Sequence, residues 1–580
     1  MSTPTPREAD TPDLDRTNVT REAAARRSAL ITVENYTVHA DLRDAVDPEV
    51  TGYPVETTIR FRCTQPGASV NLDFIAESVQ SVQLNGEDLD VTRVVGAAQI
   101  LLPELAEENT VTVHGTAAYS RSGEGMHRFV DPTDGATYLY TQYEPADARR
   151  VFPNFEQPDL KARFTFSLTG PASWVLASNR PEAQRLDVGE GLVRVDFEPT
   201  LPQSTYITTL LAGPYTVWED AWDGHDATGA SPVPLRLFTR ASLAEHFDPE
   251  TVFAQTKSGL TLFHELFGVP YEWGKYDQAF VPEYNLGAME NPGLVTFTEA
   301  FVFTSPATQA QYEGRANVIM HEMAHMWFGD LVTMTWWDDL WLKESFADYM
   351  GSLGVDEATD YTGAWVTFAA RRKAWAYVQD QLPTTHPIVA DIVDLEAARQ
   401  NFDGITYAKG ASVLKQLAAY VGRDAFLEAA RTYFRRHAWG NARLADFMAV
   451  LEEASGRDIT AWAQAWLHTS GVPRLHVETE GAEAVLIQSG TDPVSGEPMR
   501  RPQVVKVGLY EPTTSGALLR TASVQVDVAD GDAGLRTSIP GLQVPTDGVR
   551  LVLPNDEDLT YAAIALDEAS LDAVLTHPVS

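Results

Sequence analysis

The sequence predicts a multidomain α+β protein with an antiparallel β-rich N-terminal region, a helical middle and a small C-terminal β-sandwich. Three observations predict it. From about residue 30 to 225 apolar and polar residues alternate with period two, as in Tyr36-Thr37-Val38-His39-Ala40-Asp41-Leu42 and Leu192-Val193-Arg194-Val195-Asp196-Phe197. Such runs, separated by turn residues, are antiparallel strands with one face in a core. From about 307 to 470 the period becomes helical, and Gly329, Gly422, Gly440 and Gly456 punctuate it as C-terminal caps do. After Gly471-Val472-Pro473 the alternation returns, as in Val549-Arg550-Leu551-Val552-Leu553.

The elements divide in order. Residues 1–25, rich in Pro, Thr, Asp and Arg, are expected to form a flexible tail, and 26–225 the N-terminal β-domain. Residues 226–472 are expected to form a second, largely helical domain, which opens with helical periodicity near 251–268 and a strand-like piece at 277–298. Residues 473–566 form the sandwich. Residues 567–580 again read as helix and are expected to begin a helical domain that is missing or absent. A chain of 580 residues exceeds one hydrophobic core, so several domains are needed.

Composition narrows the function. With 43 basic and 81 acidic residues the formal charge is −38, which argues against nucleic acid as the main partner. Cys63 is the only cysteine, so neither an intrachain disulfide nor a thiolate metal cage is possible. It sits in an alternating run and reads as a buried strand thiol. No stretch reaches the roughly 18 apolar residues of a membrane span. Residues 1–27 lack a signal-peptide apolar core, so a cytoplasmic location is expected.

The chemistry lies in His321-Glu322-Met323-Ala324-His325. On a helix, i and i+4 share a face, so both imidazoles can reach one Zn²⁺. Glu322 is then placed to act on an activated water rather than on the metal. Zinc needs a third ligand, and Glu344 follows His325 after 18 residues. Gly329 ends the first helix, Trp336-Trp337-Asp338-Asp339 turns the chain, and Leu340 to Met350 runs back as a second helix, bringing Glu344 to the histidines. The tryptophans are expected to pack around this turn. Asp348, one turn after Glu344, reads equally as an acceptor for a ligand imidazole or as a surface carboxylate. His264-Glu265 begins like the motif, but Gly268 stands where the second histidine would be, so no metal role is assigned.

The spaced zinc motif, with Gly287-Ala288-Met289-Glu290-Asn291 upstream, resembles the aminopeptidase N family of gluzincin zinc peptidases. Trp327-Phe328-Gly329-Asp330 and Trp337-Asp338-Asp339-Leu340-Trp341-Leu342 add to the likeness, and the Arg- and Ala-rich style is similar to bacterial, actinobacterial members. The resemblance implies a saddle-like N-terminal β-domain, a thermolysin-like α/β catalytic domain, a small β-sandwich and often a helical fourth domain. It implies one Zn²⁺ held by His321, His325 and Glu344, with Glu322 as general base. It assigns the substrate's free α-ammonium to Glu290 and Glu144, the peptide backbone to Gly287 and Ala288, and the oxyanion to Tyr407. Met289 is placed beside the first-residue pocket. Lys343 stands where the family often has Asn and is expected to alter the electrostatics beside the metal. The implied partners are peptides with a free N-terminus; the oligomeric state is open, with a monomer favoured.

Overall fold

A computed structural model of the chain describes residues 14–225, 227–480 and 483–579. The protein is a multidomain α+β molecule. Of the expected tail, 1–13 lie outside the described residues, but from Leu14 onward the chain is held. Val19 is buried, Thr20 Oγ1 accepts from Ala23 N to cap helix α1 (Arg21–Leu30), and Arg21 pairs with Asp338 at 2.7 Å. A serine/threonine-type cap and a long-range ion pair order a segment whose composition alone reads as mobile.

The N-terminal region forms a twelve-stranded sheet. Its centre includes β1 (Ile31–Asp41), β2 (Gly52–Cys63) and β3 (Glu108–Ser120), with β4 (Gly125–Val130) and β5 (Thr137–Gln142) towards one end. The alternation seen in the sequence is the burial pattern: Tyr53, Val55, Ile59, Phe61 and Cys63 of β2 all face the core. Most ladders are antiparallel, as expected. One long pair is not, because β1 runs parallel to Arg163–Pro171, with Tyr36 opposite Phe164. Parallel pairing needs a long crossover, and residues 42–162 supply it.

A five-stranded sheet follows. It contains β6 (Tyr276–Val281) and β7 (Ala288–Met289), and β8 (Leu294–Thr298) lies between them, so β7 is an edge strand. Helix α2 (Gln309–His325) starts in a capping box formed by Thr308 and Gln311. Trp337–Asp339 makes the turn, and α3 (Trp341–Ala358) returns along α2. The two helices meet closely: a Cβ on Gly351 would lie 3.2 Å from the His321 Cβ and 3.1 Å from the Asn317 carbonyl. Trp336, Trp337 and Trp341 are buried around the turn, as expected.

Residues 474–565 contribute one four-stranded and one three-stranded sheet, packed over Leu475, Leu486, Val505 and Val507. Helix α4 (Glu568–Thr576) packs against the sandwich. Asp567 caps it, Ser570 Oγ accepts from Val552 N at 2.9 Å, and Ala573 packs on Leu518 and Leu551. Among the described residues no helix is long and apolar enough to cross a membrane.

Candidate metal centre and substrate cleft

The return of α3 along α2 brings Glu344 to His321 and His325. The two Nε2 atoms are 3.1 Å apart, and Glu344 Oε2 lies 3.5 Å from each. After His325 the chain tightens into a turn that places the Phe328 carbonyl 2.9 Å from His325 Nδ1. Donation there leaves Nε2 as a bare lone pair aimed at the other two groups. Glu344 Oε2 and Glu322 Oε2 are buried without hydrogen-bond partners. Three converging donors with an orphaned oxygen fit one divalent ion, and nitrogen–oxygen donors of this kind suit zinc.

Glu322, beside His321, lines the same cavity of about 530 Å³. Burial pushes its carboxyl well up, and Glu290 and Glu344 add to the effect. Burial acts on Glu344 in the same sense, but Lys343 and the imidazoles outweigh it and hold that carboxyl well below its ordinary range. Tyr407 sits in a π-helical turn, Ile405–Lys409, tied to α3 by Ser345 Oγ donating to the Thr406 carbonyl at 2.6 Å. Its ring lies 6.1 Å from the His321 ring at 18°, and burial raises its hydroxyl well above the ordinary value. Such single π-turns occur often at functional sites.

Glu144, two residues beyond β5, and Glu290, one beyond β7, come from distant parts of the chain to one point. That point is an ammonium. Lys343 Nζ contacts Glu144 Oε1, lies 2.5 Å from Glu290 Oε1 and 2.9 Å from Glu344 Oε1, and faces the Tyr206 ring at 5.2 Å. Burial disfavours this ammonium, but the three carboxylates more than compensate and raise it well above the ordinary lysine range. Sequence reasoning placed Lys343 beside the metal but missed that it fills this cage, and missed Tyr206 altogether.

The remaining candidates are placed as follows. Gly287 and Ala288 line the cavity, and a Cβ at Gly287 would meet nothing within 4 Å. Met289 does not line it: the side chain is buried and Gln142 Nε2 lies 3.7 Å from its sulfur. Leu286 takes that place in the wall. Period two along β7 could have shown this, since Ala288 and Met289 must face opposite ways. Asp348 does not bond an imidazole and is not on the surface; it is buried and paired with Arg372 at 2.9 Å. His264 is satisfied by the Leu260 carbonyl at 2.6 Å and Tyr271 N at 3.0 Å, in line with no metal role.

A layered α+β molecule in which two antiparallel helices deliver two imidazoles and a carboxylate, with a further glutamate alongside, has the build of a metallopeptidase. Residues 252–466 match the peptidase family M1 domain and residues 37–207 the peptidase M1 N-terminal domain. The chain belongs to peptidase family M1. It is 46% identical over 577 residues to aminopeptidase N of Streptomyces lividans, covering 97% of this chain and 65% of that protein. It is 34% identical over 421 residues to probable aminopeptidase 2 of Sulfurisphaera tokodaii, covering 72% and 52%. With aminopeptidase 2 of Candida albicans it shares 30% over 438 residues, covering 73% and 46%. The chain thus spans between about half and two thirds of the length of these relatives.

Proposed function

We infer that the protein is a zinc-dependent aminopeptidase that hydrolyses the N-terminal peptide bond of peptides. The observation that carries the reading is the ammonium cage: Glu144 and Glu290 converge on a positive nitrogen beside the His321, His325 and Glu344 group. The names of the relatives point the same way.

His321, His325 and Glu344 would hold one Zn²⁺, which when bound polarises the scissile carbonyl and acidifies water. Glu322 takes the proton from the attacking water and hands it to the leaving amine. The Tyr407 hydroxyl donates to the oxygen that becomes negative. Glu144 and Glu290 take the α-ammonium. Both already lean on Lys343, yet both line the cavity, so a second ammonium can approach them. An internal peptide brings no charge to these carboxylates and so lacks the pairing that a free N-terminus gains. Edge strand β7, with open space at Gly287, offers the backbone a partner for strand addition.

The competing reading is a thermolysin-like endopeptidase, which would have no use for an amine cage across its cleft. An aminoacyl chromogenic amide and its N-acetyl form separate the two. The free amine is expected to be cleaved and the acetylated form left intact, with activity lost on chelation and restored by zinc. Equal cleavage of both would sink the exopeptidase reading. Tyr407→Phe is expected to lower kcat about a hundredfold with little change in KM, because its donor acts mainly in the transition state. Steady-state kinetics check this, and a change confined to KM would contradict it.

A further inference from the structure

We propose that Glu124 is a specificity-determining residue that selects a basic side chain, lysine or arginine, on the first residue of the substrate. The proposal rests on the aminopeptidase reading and names the substrate class it favours.

Glu124 lies in the loop joining β3 and β4 and lines the same cavity as Glu144 and Glu290. The sheet register fixes its place. Gly125 pairs with Gln142, so Glu124 stands at the strand end next to the segment that carries Glu144. The loop is rigidly held. Gly123 N donates to His127 Nδ1 at 3.0 Å, and Asn285 Nδ2 donates to the Ser122 carbonyl at 2.5 Å. Gly123 has φ of 81°, and a Cβ there would collide with Asn285. The other ring nitrogen of His127 reaches Glu283 Oε2 at 3.1 Å. These bonds make the Glu124 loop and the 283–287 segment one body, so Glu124 is fixed relative to Leu286 and Gly287.

The arginines of the cavity wall, and the lysine behind it, are spoken for. Arg372 is held by Asp348 at 2.9 Å, and Arg399 by Asp147 at 2.8 Å. Lys343 answers Glu144, Glu290 and Glu344. Glu124 is half-buried, and among the described residues no cation pairs with it. Leu286, 41% exposed, supplies an apolar face in the same cavity. A carboxylate with no counter-charge next to an apolar wall matches a long basic side chain: the methylene stem lies on Leu286 and the cationic head meets Glu124. A neutral first residue leaves Glu124 hydrated and is tolerated. An acidic one faces like charge and is rejected.

The test is the kcat/KM of arginyl, lysyl, leucyl and glutamyl chromogenic amides on the zinc-loaded wild type, Glu124→Gln and Glu124→Lys. Ratios within one preparation cancel any loss of folded enzyme. The wild type is expected to favour Arg and Lys over Leu. In Glu124→Gln the Arg-to-Leu ratio is expected to fall about tenfold, and in Glu124→Lys the Glu-to-Arg ratio to rise. A wild type indifferent to basic residues, or an Arg-to-Leu ratio unchanged in Glu124→Gln, overturns the proposal. If instead no free aminoacyl amide is cleaved, or N-acetylated forms are cleaved equally, it is the aminopeptidase reading that fails.

Discussion

Glu322→Gln is expected to lower kcat by about a hundredfold to ten-thousandfold, the range for loss of a general base. Metal content should not change, because Glu322 is not among the three converging donors. The amide keeps the shape of the side chain but accepts no proton, so the loss falls on the chemical step. Titration of the wild type gives the same group a second readout. Burial raises the Glu322 carboxyl. As pH falls the carboxylate is protonated and the rate drops, an acid limb of kcat/KM that Glu322→Gln is expected to remove. Single-turnover kinetics with metal analysis decide the matter: a variant that retains zinc and a rate within a few-fold of wild type would remove Glu322 from the mechanism.

Lys343→Met is expected to destabilise the fold by about 3–5 kcal/mol, the usual consequence of removing one partner from a buried ionic network. Lys343 is 1% exposed and is the partner of three carboxylates that are themselves nearly inaccessible. Methionine fills the volume but leaves Glu144 and Glu290 without the cation they face. The double variant Lys343→Met/Glu290→Gln should recover part of the loss, because it removes one of the stranded charges. Denaturant unfolding of the zinc-loaded proteins measures both. An unfolding midpoint unchanged in the single variant would mean that the cage adds nothing to stability.

Much of the fold was legible because period two and period 3.6 are local signals. The β2 alternation named its own buried residues, and the helix–turn–helix around His321 and Glu344 followed from glycine, tryptophan and the length of the return. Pairing between distant strands was not legible. Nothing within β1 says that its parallel neighbour is Arg163–Pro171, because register is decided by which faces meet in the core. The order of residues 14–25 and the docking of α4 depend on long-range contacts, among them Arg21 with Asp338 and Ala573 with Leu518, which no local pattern announces. In the site, the metal group could be argued from spacing, whereas Glu144, Glu290 and Tyr407 entered only through family likeness. Lys343 shows the limit most clearly: its neighbour in sequence was known to matter, but the two carboxylates it meets lie 53 and 199 positions away.

That separation has a temporal side. Domains tend to fold in the order in which they leave the ribosome. The sheet that carries Glu144 is complete well before α2 and α3 emerge, so the carboxylate is in place when the histidines and Glu344 come together. Lys343 closes onto it as part of the same event that aligns Glu344, since the two residues are adjacent on α3. On the aminopeptidase reading, one helix therefore supplies both the carboxylate that completes the metal group and the ammonium that meets Glu144.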